Sequence, residues 1–557
     1  MYYLKSLSLF LIFCFITIKT NAQNTSILPN KLDFAQRSYS QILLIPSPQK
    51  GNSCYDTDSN CLRIYNGTSW QCVDNISDAG FNDAKGFCSG QVSVSTSGGN
   101  TGQAPQFLES TSYNSNFFEV GSCPGIGPGG LGLGYYFGNG TISGTPNANN
   151  VGFISSYDYN GTNLWVRSFY PTGPSPSANN ASIVSVKADG TGIYVIGNYT
   201  NSLNYLTSST TSGIINSVGG YDIFVAKLND LGYVQWIKQF GGGSDDFGID
   251  LTFDESSNIF ITGTEQGMTT GYCIPSTGNA DIFVGKLDKS SGNTYTQAGI
   301  IYEANNTEKV KNILYYDNKV LLIGSFKGIL NYTNINSSCN IISPASQLQG
   351  TNGTEIFMVS FNTSLVAIDT YKLKLGGDDA NDNLNPFKAI IEKGFIGGKY
   401  VNMIKIAGNA TGTFTLNDRI INSSSYTITL LLNKDILPVT KKTMEIKGIS
   451  IIGFGDGYVT GSITANPSIV NSSINFGEKN GDNFLISTSL FGNFNWVITS
   501  DVKPSYTGFP VYQQSKTISK IGNNVYIMGA FSGSLELCNS ILGTGIRHYG
   551  FLWRYTE

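Results

Sequence analysis

Histidine is almost absent from this sequence, and charged side chains are scarce. The chain of 557 residues has one histidine, His548, and charged residues make up 13% of it, against roughly 25% in average soluble proteins. With one histidine and no catalytic partner for it in view, the sequence offers no His-dependent triad or dyad, and metal sites built on several histidines are excluded. The net charge of −4 and the absence of a clustered basic surface argue against a nucleic-acid partner.

Long apolar runs are missing after residue 22, so no later segment predicts a membrane span. Residues 1–22 have the features of a signal peptide: Lys5 lies in the positive region, an apolar run follows, and small residues end at Ala22. We therefore expect export, with cleavage before Gln23 and no transmembrane span afterwards. An uncleaved membrane anchor is the alternative.

The spacing Cys-x-x-Cys does not occur, which removes the common zinc motifs. Nine cysteines are present, and an even number remains once Cys14 leaves with the signal segment. An even count in an exported chain predicts disulfides. A link between Cys88 and Cys123 is one option. The pairing stays open for Cys54, Cys88, Cys123, Cys273, Cys339 and Cys538.

A small β module is expected at residues 23–73, and its clearest feature is the hairpin sequence CLRIYNGTSWQC. Asn66-Gly67 favours a two-residue turn, because both central positions of a type I′ turn need φ > 0. A turn centred there places Cys61 directly opposite Cys72, within reach of a disulfide. We predict that bond; in the alternative, Cys54 takes one of the two partners.

Two parts of this module, ILPNKLDFAQR (27–37) and YDTDSNCLRIYNGTSW (55–70), resemble a short segment near the N-terminus of many exported bacterial surface and fibre-like proteins. The resemblance covers about 45 residues. It implies secretion, or a place at the cell surface or in the periplasm of a bacterium, and no particular chemistry. Residues 74–150 follow as a Gly/Asn/Ser-rich connecting segment, which contributes a partial blade in one alternative.

From about residue 151 to 557 the chain repeats an apolar strand of the type YDIFVAKL, a Gly-x-x-x-Trp element, and an apolar strand ending in Gly. With one more strand between the last two elements, each repeat has about four strands. Such units bury their faces only by stacking around an axis. Glycine (65 residues) and aromatics (12%) suit short strands joined by tight turns. The repeat markers are Phe153, Phe224, Phe283, Phe357, Ile428, Phe484 and Phe551.

Residues 219–263, GGYDIFVAKLNDLGYVQWIKQFGGGSDDFGIDLTFDESSNIFITG, resemble the bacterial SBBP-type β-propeller repeat. The resemblance implies fold and no single activity. We therefore expect an all-β protein with a β-propeller of six four-stranded blades, seven being the alternative, after the small disulfide-linked hairpin module. The last strand is expected to close the ring by pairing with the first repeat.

Paired carboxylates are the first candidate chemistry: Asp245-Asp246, and Asp378-Asp379 with Asp382. Such pairs could bind Ca²⁺ or act as acid and base. The calcium-loop pattern is absent, and Asp also stabilises turns by accepting backbone bonds. Turn structure is the favoured interpretation, so we expect no cofactor, with Ca²⁺ as the minor alternative.

Aromatic side chains are the second candidate. Three tryptophans recur at equivalent repeat positions, which favours packing between blades over a sugar platform. Tyrosines in non-repeated segments are better candidates for contact with glycans. The two sets are Trp165, Trp236 and Trp496, and Tyr272, Tyr332 and Tyr512.

The sequence therefore predicts no catalytic residue and leaves the ligand open. The first hypothesis is a non-enzymatic binding or scaffold protein that presents one propeller face to a protein or glycan. The second is a carbohydrate-active hydrolase or lyase that uses carboxylates and tyrosine in the central channel; this rests on fold analogy. The third is a structural component of an extracellular assembly. Carboxylates, arginine and tyrosine converging in the channel would favour the enzyme, and an apolar plug the scaffold.

Overall fold

The computed structural model divides the chain into two units, Met1–Asp83 and Ala84–Glu557. The described residues are 36–48, 53–56, 61–65, 68–73, 94–96, 105–125, 135–137, 140–142, 148–175, 178–272, 274, 280–295, 298–302, 308–336, 338–342, 345–375, 383–396, 399–416, 419–422, 425–432, 439–455, 457–469, 483–488, 494–499, 501–503, 513–521, 524–532, 534–537, 540–542 and 548–556. The predicted signal peptide lies outside them. Within this set, no helix has the length and hydropathy that crossing a membrane requires.

The first unit contains one short helix and a four-stranded sheet. The helix, Tyr39–Leu43, begins after Ser38, whose side chain accepts a bond from the Gln41 backbone in a capping box. Ile42 and Trp70 form the small core beside Tyr65. The strands are Gln36–Arg37, Ser53–Asp56, Cys61–Tyr65 and Trp70–Val73, in that order across the sheet; the first pair is parallel and the others are antiparallel.

The predicted hairpin register is wrong. Tyr65 pairs with Trp70, which packs on it at 5.5 Å between ring centroids, and Arg63 instead of Cys61 lies opposite Cys72. With Tyr65 paired to Trp70, four residues connect the two strands instead of the predicted two-residue turn. The Cys61 and Cys72 side chains lie outside the described residues, so their disulfide stays a prediction, to be checked by peptide mapping without reductant.

The second unit is all-β and mostly antiparallel. Within the described residues its strands form seven four-stranded meanders, named A to G, of which E and F share the long strand Val439–Gly455. Their strands are as follows: A, Gln106–Tyr113, Asn116–Pro124, Asn150–Asp158 and Asn163–Thr172; B, Ala181–Asp189, Gly192–Leu206, Ser212–Leu228 and Val234–Gly242; C, Phe247–Phe253, Asn258–Glu265, Asp281–Asp288 and Ala298–Tyr302; D, Lys309–Tyr316, Lys319–Phe326, Glu355–Asn362 and Ala367–Leu375; E, Asn383–Ile396, Lys399–Thr411, Ser425–Leu432 and Val439–Gly455; F, Val439–Gly455, Tyr458–Ile469, Asn483–Thr488 and Phe494–Thr499; G, Gln513–Ile521, Asn524–Ser532, His548–Thr556 and Val94–Thr96.

The meander boundaries differ from the predicted repeats. Each predicted repeat begins on the third strand of a meander, so the count from residue 151 omits the first two strands of meander A. Those strands, Gln106–Tyr113 and Asn116–Pro124, lie in the segment predicted to be a connection. The six predicted repeats therefore correspond to seven described meanders, and the extra strands come from residues 74–150, the segment that contributes a partial blade in the alternative.

The third strands are buried on both faces, which explains the apolar repeat motif. In meander B the residues Ile223–Ala226 are all fully buried. A strand covered on both faces reads as a continuous apolar run instead of an alternating one. The hydrophobic clusters of the second unit accordingly draw on residues of neighbouring meanders, as in the cluster of Phe117, Tyr157, Tyr526, Met528 and Leu552 between A and G.

The sequence led us to expect that the last strand pairs with the first repeat, and this prediction is wrong. The last strand begins at His548, and its Gly550 lies opposite Ser95 of the short strand Val94–Thr96. A strand from the beginning of the second unit thus completes meander G. No hydrogen-bonded sheet of the described strands closes on itself, but the first strands of the seven meanders contact one another in a complete cycle.

Segments that follow the apolar part of a second strand pair with the edge of the preceding meander. Residues 202–204 pair with the outer strand of meander A, and residues 331–335 pair with the outer strand of meander C. These pairings cover edges that would otherwise be open. The remaining described strands are Tyr135–Phe137, Gly140–Ile142, Met268–Thr270, Ile329–Ile335, Ser346–Gln349, Thr413–Leu416, Arg419–Asn422, Asp501–Lys503, Ser534–Leu537 and Ser540–Leu542.

Candidate functional site

The first strands of all seven described meanders carry a β-bulge at the same place. In six of them a polar residue follows the bulge, and in meander F the residue there is Gly453. A bulge adds one residue to a strand and re-aims the next side chain. Asp250, for example, follows a register shift after Gly248 and is almost fully buried. We call these six residues the belt: Glu109, Ser185, Asp250, Asn312, Lys388 and Thr517.

The bulge explains the glycine that ends the last apolar strand of each predicted repeat, which is the second strand of a meander. A Cβ on Gly197 would lie 2.3 Å from the Ser182 carbonyl oxygen on the bulged strand and 2.5 Å from the Phe224 ring on the third strand. Only glycine permits both approaches. In meander E the equivalent pair is Gly408 and Tyr426, so Tyr426 instead of the predicted marker Ile428 lies opposite the glycine.

A central cavity of about 380 Å³ lies among the first strands of all seven meanders. Its lining combines belt residues with hydroxyl and apolar side chains. The lining residues are Glu109, Ser110, Thr111, Ser112, Lys187, Asp250, Thr252, Asn312, Ile313, Leu314, Lys388, Ala389, Ile390, Ile391, Glu392, Phe454, Gly455, Ile518 and Ser519. Tyrosine, arginine and histidine do not occur among these described residues.

Asp250 is a buried carboxylate whose acceptor positions are filled. Ser185 Oγ donates to Oδ1 at 2.7 Å, and Asn312 Nδ2 donates to Oδ2 at 3.3 Å. The backbone N–H groups of Leu251 and Ile313 donate at 2.8 and 3.2 Å. A carboxylate has about four acceptor positions. Burial raises the pKa of Asp250, and the nearby Lys187 opposes this effect.

Glu109 is held between two lysines. The Nζ atoms of Lys187 and Lys388 donate to the same oxygen, Glu109 Oε1, at 2.7 and 2.8 Å. Burial would raise the pKa of Glu109, but the two ammonium groups outweigh it and lower the pKa to about 2. Glu109 is therefore ionised over the whole physiological range, and the three side chains link meanders A, B and E.

The Asp245-Asp246 pair stabilises a turn, in agreement with the favoured interpretation. Asp245 Oδ1 accepts the Tyr221 N–H at 2.9 Å, and Asp246 accepts the N–H groups of Gly242 and Gln266 at 2.8 and 3.0 Å. Among the described residues no group of three or more His, Cys, Asp or Glu side chains is arranged to hold a metal ion. Asp378, Asp379 and Asp382 lie outside the described residues.

The repeated tryptophans pack between meanders, as predicted. Trp165 Nε1 donates to the Asp230 carbonyl at 2.8 Å, and its ring lies where a Cβ on Gly232 would be. Trp236 covers Gly292 of the next meander in the same way. The side chain of Trp496 lies outside the described residues.

The tyrosines proposed as glycan contacts lie inside the fold where the structure describes them. Tyr272 is 5% exposed and donates to the Lys286 carbonyl at 2.6 Å; Tyr332 is fully buried. The prediction that these two tyrosines contact glycans at the surface is therefore wrong. Tyr512 and the side chain of His548 lie outside the described residues.

Cysteine pairing also differs from expectation at one position. Cys123 is a free, buried thiol, so the Cys88–Cys123 link is wrong. Burial raises the pKa of this thiol and Glu119 adds to the effect, which makes it a poor nucleophile. Cys339 is disulfide-bonded.

The belt and its lysines were missed at the sequence level. One signal marks four of the belt residues: each stands twelve positions before the glycine that ends the apolar run of the next strand. The four are Glu109, Ser185, Asn312 and Thr517. A single polar residue in an otherwise apolar strand is also typical of a solvent-facing position. Only the tertiary structure shows that these residues lie together around the cavity.

The SBBP family, described as a β-propeller repeat, matches residues 235–264. No curated protein sequence matches the chain significantly. Among solved structures, polysaccharide lyase Uly1 is similar with a TM-score of 0.35 and 10% identity, over 94% of this chain and 96% of that one. The GH43 endo-arabinanase from Bacillus licheniformis gives 0.25 and 11%, over 60% and 98%. Trypanosoma rangeli sialidase gives 0.21 and 7%, over 84% and 93%. These low TM-scores carry no argument about function.

Proposed function

We propose that this chain is an exported, non-enzymatic binding or scaffold protein built on a seven-bladed β-propeller. The meanders A to G are its blades, the cycle of first strands surrounds the channel, and Val94–Thr96 joins the two ends. The SBBP match at residues 235–264 supports the repeat type. The export signal and the resemblance of the first module to surface-protein segments support a place at a cell surface or in the periplasm.

One observation carries the non-enzymatic assignment: two carboxylates of the channel, Asp250 and Glu109, are engaged by donors of the protein itself. Asp250 accepts four hydrogen bonds, and Glu109 accepts both lysine ammonium groups. A general acid or base needs a free position facing the reacting atom. Asp250 keeps no such position, both ammonium groups occupy Glu109 Oε1, and the described lining offers no histidine or tyrosine.

The ligand surface is the face that carries the long connections between second and third strands. Those connections vary most in length and composition, which is typical of binding loops on a rigid scaffold. In meander B the second and third strands extend toward this connection, and the extended part of the third strand bears two exposed apolar side chains, Ile214 and Val218, each 54% exposed. A protein or glycan is the expected partner.

A glycan array and a pull-down with the intact protein test this proposal. Replacing Ile214→Ser and Val218→Ser should weaken capture at least tenfold. The matched control is Leu231→Ser, since Leu231 is 60% exposed at the opposite end of the same meander. Equal capture by all three proteins would contradict the assignment of the face.

A carbohydrate-active enzyme is the second candidate, and one observation favours it. Asp250 and Glu109 lie 3.9 and 2.7 Å from Lys187 Nζ, and their pKa values shift in opposite directions. Carboxylates whose pKa values separate can serve as acid and base. The test measures release of reducing ends from a panel of polysaccharides. If the wild type releases them, and a folded Asp250→Asn variant does so about 100-fold more slowly, the enzyme assignment replaces the scaffold assignment.

A further inference from the structure

One part of the cavity lining carries the charged side chains, and we call it the channel floor: Glu109, Lys187, Asp250, Asn312 and Lys388. This floor has a surplus of hydrogen-bond donors. Each lysine ammonium carries three N–H donors, and Lys187 and Lys388 each use one on Glu109 Oε1. Within the described part of the chain, neither Nζ has a second hydrogen-bond acceptor. Both side chains line the cavity, and they are 29% and 25% exposed to it.

The acceptors of this floor are mostly engaged, in contrast to the donors. Glu109 Oε1 accepts both lysines, and Glu392, the third carboxylate of the cavity lining, is ion-paired with Lys405. Asp250 has four donors, and the Asn312 Oδ1 atom accepts the Ala389 N–H at 2.7 Å. The unused capacity of the site is therefore cationic and donating. An oxyanion with several lone pairs satisfies it better than a neutral group, because charge-assisted bonds to ammonium are the stronger ones.

Other residues of the cavity lining suit a sugar ring. Thr111, Thr252 and Ser519 carry hydroxyl groups, while Leu314 and Ile390 are apolar, and all five line the same cavity. A pyranose ring presents hydroxyl edges and C–H faces, which match such a mixed wall. The cavity volume of about 380 Å³ lies within the range of small-ligand pockets.

We propose that the channel floor binds the carboxylate of an acidic saccharide, with Lys187 and Lys388 as its cationic contacts. This inference rests on the proposed function, since it assumes that the ligand is held and not converted. It assigns to the channel a ligand class, separate from any partner captured on the connection face.

Ligand-observed NMR on the full chain tests it with three probes: glucuronate, glucose and inorganic sulfate. Glucuronate should bind with a Kd of about 1 mM, a modest affinity for a monosaccharide, and glucose and sulfate at least tenfold more weakly. Sulfate binding as tight as glucuronate binding would show a simple anion site and overturn the saccharide assignment. Absence of glucuronate binding would overturn the proposal altogether.

Variants locate the site. Lys388→Met should weaken glucuronate binding at least tenfold, while Lys238→Met should not, because Lys238 donates to Asn293 at the surface between meanders B and C. If Lys388→Met fails to fold, the double variant Glu109→Gln with Lys388→Met removes one charge of each sign, and it should fold without binding glucuronate. Unchanged binding in a folded variant contradicts the inference.

The same spectra separate this inference from the proposed function. New ligand resonances would reveal turnover, which overturns the non-enzymatic assignment and still supports saccharide binding in the channel. Capture of a partner on the connection face without any glucuronate binding would support the proposed function and overturn this inference alone.

Discussion

Lys388 Nζ lies 2.8 Å from Glu109 Oε1, although 279 positions separate the two residues in the sequence. The contact joins the first strands of meanders E and A across the cavity. Lys187 reaches the same oxygen from meander B, so one carboxylate fixes three meanders. The arrangement makes the channel centre a cross-link of the fold as well as its candidate site, and the predictions below follow from such contacts.

Glu109→Gln should destabilise the protein by about 2–3 kcal/mol. Removing one partner of a buried ion pair typically costs about 3–5 kcal/mol, and the value is lower here because both lysines remain a quarter exposed. Urea unfolding measures the change. Asp317→Asn, which breaks the ion pair with Lys319, is the control and should cost less than about 1 kcal/mol. Equal losses of unfolding free energy in the two variants would show that the Glu109 ion pairs stabilise the protein no more than a surface ion pair does.

Glu265 should make stability fall as the pH rises. Its fully buried carboxyl accepts the Gly267 and Met268 N–H groups, yet burial raises its pKa to about 8, and Asp281 and Asp246 add to the rise. An unfolded glutamate has a pKa of about 4.3. Between these values the folded state binds the extra proton, so stability declines with increasing pH and levels off above about pH 8.

The test compares unfolding free energies of the wild type and Glu265→Gln from pH 5 to 9. The variant cannot ionise and should show a flatter profile, so that its stability relative to the wild type increases as the pH rises. Glu255→Gln, at an exposed position, should follow the wild type. Parallel profiles for Glu265→Gln and the wild type would contradict the prediction.

Gly197→Ala should destabilise meander B by about 3 kcal/mol, because the new methyl group meets the Ser182 carbonyl and the Phe224 ring inside a packed core. Gly243→Ala is the control, since a Cβ there has nothing within 4 Å, and it should change stability by less than about 0.5 kcal/mol. Thermal unfolding compares the two. A tolerated Gly197→Ala would mean that the bulge carbonyl and the ring relax easily.

The pairing of Val94–Thr96 with the last strand should be open to cross-linking. Ser95 lies opposite Gly550, so Ser95→Cys with Gly550→Cys should form a disulfide and raise the melting temperature. Reducing agent should reverse the gain, and either single variant should lack it. If the two thiols remain free under oxidising conditions, another segment completes meander G.

The sequence alone determined the all-β class and the repeat. Its alternation, its YDIFVAKL-type strands and its Gly-ended strands each report local physics: a strand buried on both faces is apolar throughout, and a glycine marks the place where two neighbours approach too closely for a Cβ. The packing role of Trp165 and Trp236 was also predictable, because a residue that recurs with the repeat serves a contact that recurs with it.

Only the tertiary structure decided the pairings and the site. The hairpin register followed the Tyr65–Trp70 ring contact instead of the local preference of Asn66-Gly67 for a tight turn. The last strand found its partner near residue 95, where the sequence pattern is weak. Glu109, Lys187 and Lys388 belong to three separate repeats, and no local rule links them. Their convergence depends on how seven first strands meet around one cavity, a long-range property that sequence patterns do not encode.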